Sequence, residues 1–174
     1  MKLTVDIFDE TRQIPEEALA WLLRYAEIAI RRLGGIGEVR IRVVGDQAMA
    51  AAHEEFAGVA GTTDVLTFDM VDTEEHPRQM PPRAADIELG NVSSAFVLDT
   101  DILICLDEAQ RQALRREYPF ERELLLYVVH GVLHCLGFDD HNEENYKVMH
   151  ATEDTLLAAI GVGPVFHRPN EGAA

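Results

Sequence analysis

The chain has 174 residues, 47% of them apolar and 26% charged, which suits one globular core and leaves little room for two. Fifteen Lys and Arg against 31 Asp and Glu give a formal charge of −16, excluding a generally basic nucleic-acid-coating protein. No apolar run reaches the ~20 residues of a membrane span, the first residues lack a leader's apolar core, and two cysteines without Cys-x-x-Cys exclude a disulfide scaffold. A cytoplasmic protein is expected.

Residues 2–8 alternate as a short strand. Pro15, Glu16 and Glu17 then start a helix whose stripe runs from Leu19 to Leu33, and Gly34-Gly35 stops it. Residues 38–44 alternate again, with Val39, Ile41 and Val43 on one face and Arg40 and Arg42 on the other. A short helix over 46–55 and a strand over 65–68 follow. The polar, Pro-containing stretch 72–83 reads as a long, mobile loop. Strand-like pieces are expected at 86–89 and 101–106, and Asp107 is a candidate cap for a helix running to Glu117. Residues 120–135 are apolar nearly all round and predict a buried central helix ended by Gly137. A last helix over 143–160, capped by Asn142, carries Glu153 as the odd member of an apolar stripe. The expectation is one α+β domain over 1–161, a mixed sheet of four or five strands around the central helix, and a flexible tail over 162–174.

The chemistry concentrates in residues 130–141. His130 and His134, four apart on a helix, present both imidazoles on one face, close enough to share a metal. Gly137 lets the chain turn back, and His141 can then supply a third ligand. Three protein ligands with an open fourth position describe a hydrolytic zinc site. Two histidines at this spacing also arise by chance, and it is the following glycine and third histidine that favour a metal. Asp140 competes with His141, and Asp139 either orients a ligand or shapes a turn. Gly131 occupies the place of the general base in His-Glu-x-x-His peptidases, which disfavours a protease. Glu88, Glu108 and Glu153 remain as carboxylates that can approach the metal from elsewhere.

The run from His130 to His141 resembles the His-Gly-x-Leu-His-x-x-Gly-Tyr-Asp-His signature of the YbeY proteins, bacterial metal-dependent endoribonucleases that mature 16S rRNA. Thr63-Asp64-Val65-Leu66-Thr67-Phe68 resembles that family's Thr-Asp-Val-Leu-Ser-Phe. Asp101 to Cys105 resembles its Gly-Asp-Ile-x-Ile strand, with Thr100 in place of the glycine, and Met149, Glu153 and Leu156 match its closing helix. The resemblance implies zinc on His130, His134 and His141, although an extra Asp precedes His141 here. It also implies an arginine six residues before Thr63, where this chain has Ala57; His53 stands where the family often has Asn.

Arg40 and Arg42 on one strand, and Arg111 and Arg115 on one helix, are candidates to hold RNA phosphates; the alternative is solvated surface with local ion pairs. Cys105 and Cys135 read as buried, inert thiols. His76, His150 and His167 read as surface residues. Glu153 either accepts a hydrogen bond from a ligand histidine or sits at the stripe edge. Three functions remain in competition. The first is a zinc-dependent single-strand endoribonuclease acting on precursor rRNA. The second is a ribosome assembly factor that meets the small subunit or its assembly proteins, with a structural zinc. The third is a zinc hydrolase of another substrate class.

Overall fold

The computed structural model describes residues 1–167. In chain order the elements are β1 (Leu3–Asp9), α1 (Glu16–Arg32), β2 (Gly35–Val44), α2 (Asp46–Ala57), β3 (Val65–Asp69), α3 (Ala84–Leu89), β4 (Phe96–Cys105), α4 (Leu106–Arg116), α5 (Phe120–Cys135) and α6 (Glu143–Ala159). The strands form one mixed sheet in the order β1-β2-β4-β3, parallel except for the antiparallel β3–β4 pair. This is the expected α+β architecture, with four strands among the described residues. None of the helices there is long and apolar enough to cross a membrane.

Strand alternation fixes which face is covered. Val39, Ile41 and Val43 are buried with Ile102 and Ile104 in the main core, and α5 packs on β3 and β4 between α1 and α4. Leu124, Leu125, Val128, Val132 and Leu133 of α5 are all fully buried, as an all-round apolar helix requires. The helix comes unusually close to the sheet at Gly131. A Cβ built there would lie 2.7 Å from Thr67 Oγ1 and 3.3 Å from two carbons of Ile102. A side chain at this position meets Thr67 and Ile102, so packing as well as sequence disfavours the peptidase arrangement.

Three expectations need correction. Residues 86–89 lie within a helix. Alternation puts Ile87 and Leu89 on one strand face, but Ile87 is fully buried and Leu89 is exposed. Asp107 caps a different helix. It stands in the first turn of α4, and its Oδ2 accepts the Asp46 N–H at 2.7 Å, the start of α2. The tail is pinned as far as residue 167, because buried Asp154 accepts the backbone N–H groups of Val165, Phe166 and His167 at 2.7–2.9 Å. Residues 168–174 of the expected tail lie outside the described residues.

Candidate metal centre

The last turns of α5 place His130 and His134 side by side, with ring centroids 4.6 Å apart and Nε2 atoms separated by 3.0 Å. Both Nδ1 atoms are committed outward. His130 Nδ1 donates to Glu153 Oε1 at 2.6 Å, and His134 Nδ1 donates to the Phe138 carbonyl at 3.1 Å. The Phe138 carbonyl and a Glu153 carboxylate are acceptors, so in the neutral rings the proton sits on Nδ1 and the Nε2 lone pairs face each other. Two converging lone pairs repel unless a cation lies between them, and this donor set fits a metal ion.

The turn that holds His134 is built by Gly137, whose φ of +95° lies in the left-handed region. That conformation returns the chain so that the Phe138 N–H reaches the Leu133 carbonyl at 3.1 Å while the Phe138 carbonyl faces His134. The turn then carries Asp140 back to the pair. Its carboxylate oxygens stand 3.5 Å from His130 Nε2 and 3.8 Å from His134 Nε2, so these three residues converge.

His141, the expected third member, lines the same cleft but is not one of the three converging residues. Its side chain is 84% exposed and Nδ1 is paired with Asp139 Oδ1. The extra Asp before His141 puts Asp140, not a histidine, six residues after His134. Asp139 holds the turn by accepting the backbone N–H groups of Asp140 and His141.

Glu153 is fully buried on α6 and accepts from two imidazoles, that of His130 and that of His150 at 2.7 Å. Burial works against a proton on His130, but the Glu153 carboxylate outweighs it, helped by Asp64 and Asp140, and holds the pKa up. Burial and the neighbouring His130 push His134 down. His150 is therefore no surface residue. It is stacked on Phe166 at 3.8 Å, and its Nε2 is buried without a partner. The sequence signal was its place three residues before Glu153. His76 is half-buried in its loop, whereas His167 is exposed.

Two cavities meet at the pair. An open cleft of about 700 Å³ is lined by His130, His134, His53, Arg78, Asp69 and residues of the Thr63–Phe68 segment. A second, of about 490 Å³, runs toward Tyr127, Glu123, Tyr146 and Phe166. Asp64, His130 and Asp140 line both.

The fold, the turn and the cleft agree with the resemblance seen in the sequence, and the pattern that defines the family described as Endoribonuclease YbeY matches residues 4–161. The chain belongs to the YbeY family. Endoribonuclease YbeY of Bacillus subtilis is 31% identical over 164 residues, covering 93% of this chain and 98% of that protein. That of Acidothermus cellulolyticus is 32% identical over 158 residues, covering 90% and 91%. The solution structure of TM1509 from Thermotoga maritima matches with a TM-score of 0.52 over 97% of this chain and 99% of that one; at 19% identity it shares the fold.

The segments that resemble YbeY proteins meet at the cleft: β3 and the end of α5 with its turn line it, β4 pairs with β3 and packs on α5, and α6 supplies Glu153 to His130. Thr100, the departure from the family's glycine, is fully buried; its hydroxyl donates to the Phe68 carbonyl at 3.0 Å and lies 3.4 Å from Cys135 Sγ. Burial pushes the Cys135 thiol up to about 11, so it is inert as expected. Cys105 is buried and its thiol raised in the same way. Ala57 ends α2, exposed.

The four arginines singled out in the sequence line neither cavity at the pair. Arg40 is bound by Glu38, Asp99 and Asp101, and Arg42 by Glu10, on the sheet face opposite buried Val39 and Ile41. Arg111 is held by Asp46 and Glu108, and Arg115 is exposed near the end of α4. Strand and helix periodicity grouped these residues correctly but did not reveal their acidic partners. Of the other carboxylates considered, Glu88 is exposed on α3 and Glu108 lines the second cavity.

Proposed function

We propose that this chain is a zinc-dependent endoribonuclease that cuts single-stranded RNA, with precursor rRNA as its substrate and the cytoplasm and small ribosomal subunit as its setting. The convergence of His130 Nε2, His134 Nε2 and the Asp140 carboxylate in an open cleft carries this reading, together with membership of a family whose relatives are named endoribonucleases. His130, His134 and Asp140 would hold the ion; His141 pairs with Asp139 through Nδ1, which leaves its Nε2 as the alternative donor. Zinc in such a site supplies Lewis acidity and lowers the pKa of bound water to ~7.

The protein's own groups prepare that chemistry. Glu153 keeps the His130 proton on Nδ1 and so keeps Nε2 free to bind; the Phe138 carbonyl does the same for His134. Packing of α5 against Thr67 and Ile102 holds the pair at a fixed height above the sheet. Asp64 stands at the junction of the two cavities, where a strand crossing the site must pass. The test is to measure zinc per chain and then incubate single-stranded RNA with the protein and with His134→Ala. Cleavage by the unsubstituted protein alone is expected. Metal-dependent cleavage of peptides and not of RNA would overturn the reading, and tight zinc binding without cleavage would favour an assembly role.

A further inference from the structure

A phosphodiester entering the cleft meets Asp64, Asp69 and Asp140, on a chain whose formal charge is already −16. Arg78 is the one Lys or Arg among the described residues that line this cleft. It arrives from the segment between β3 and α3. Its Nη1 donates to the Cys135 carbonyl at 2.7 Å, and Nη2 pairs with Asp69 Oδ2. Cys135 directly follows His134, so the guanidinium is fixed to the helix end one residue from the histidine pair. The segment is braced again by Gln79, whose Nε2 donates to the Ala95 carbonyl at 2.9 Å, and by Pro81 beside Gly137. The loop that reads as mobile in the sequence is thus tied down at its middle.

An arginine carries five N–H donors in a rigid fork. The bonds to Cys135 and Asp69 use one donor on each terminal nitrogen, and the side chain stays 51% exposed. A fork already positioned, partly open to the cleft and flanked by carboxylates is suited to take a phosphate oxygen at little ordering cost. We infer that Arg78 is the phosphate-binding residue of this cleft, gripping the RNA backbone beside the metal pair. The inference rests on the RNA-cleaving function proposed above. It also assigns Asp69 a competing role: the carboxylate holds the fork in place until a phosphate displaces it.

The test is binding of a short fluorescein-labelled 2′-O-methyl RNA, which lacks the free 2′-hydroxyl, followed by anisotropy over a range of salt concentrations. Arg78→Ala should weaken binding about tenfold and flatten the slope of log Kd against log salt by about 0.7, one phosphate's share on a single strand. Arg78→Lys should restore the slope but only part of the affinity. Asp69→Asn should tighten binding, an effect opposite to that of losing a structural brace. Arg83→Ala removes the same charge from the same segment outside the cleft and should stay within about twofold of the unsubstituted protein. An Arg78→Ala protein with unchanged affinity and slope, or an Arg83→Ala protein equally impaired, would overturn the assignment while leaving the RNA reading intact. Absence of saturable binding by the unsubstituted protein would overturn both.

Discussion

Glu153 serves two imidazoles with one buried carboxylate, one oxygen for His130 and the other for His150. Glu153→Gln keeps the shape but replaces one acceptor with an amide donor, so one histidine loses its partner. Zinc affinity should fall ~10–100-fold, read by competition against a chromophoric chelator; unchanged affinity would contradict the role given to this residue. The third ligand separates in the same assay. Asp140→Asn should weaken zinc binding more than His141→Ala, because the Asp140 carboxylate already stands at the pair. The reverse order would return the ligand role to His141. Helical spacing together with Gly137 and a further histidine made His130 and His134 legible in the sequence. Asp140 was legible only as a competitor of His141, because a loop's reach does not say which of two adjacent side chains turns inward. Arg78 was not, because its anchor at Cys135 lies 57 positions away and no local pattern marks it.

Helix α5 works as a platform because it sits low on β3 and β4. Gly131→Ala gains helix propensity of about 1 kcal/mol but drives a methyl group against Thr67 and Ile102, an overpacking cost of ~1–3 kcal/mol. Lower stability in urea denaturation is expected, together with weaker zinc binding; a more stable protein would show that the helix can lift freely. The junction of α2 and α4 is tied by the forked Arg111–Asp46 pair. The Arg111 hydrogen bonds hold the Asp46 carboxyl at about 2, below its ordinary value of 3.8. The pair therefore adds stability above about pH 4, and that contribution is lost as pH falls through the interval between the two values. Asp46→Asn should remove this acid-side loss, by less than ~1 kcal/mol because the partners are 43% and 41% exposed. An unchanged acid limb in urea midpoints against pH would contradict the coupling. Most helices were legible from stripes and caps; Asn142, for example, accepts the Asn145 N–H at 2.8 Å as its position predicts. α3 was not, since a six-residue segment with two apolar residues two apart satisfies the strand pattern, and only burial of Ile87 against the core decides.

The fold class was readable from alternating strand and helix patterns, but the order β1-β2-β4-β3 was not, because β3 joins the edge through pairing that only the folded chain reveals. The charge of −16 was equally legible, but its distribution was not: Arg40, Arg42 and Arg111 pair with acids away from the cleft, whereas Arg78, paired with Asp69, is the one Arg or Lys lining it among the described residues. The most direct measurement of the central claim is the rate of single-stranded RNA cleavage by one preparation in three states: as loaded with zinc, after removal of the metal by a chelator, and after zinc is restored. Cleavage that disappears with the metal and returns with it is the predicted result. Cleavage that persists at the same rate in the metal-free protein would contradict the claim that the His130–His134 centre performs the reaction.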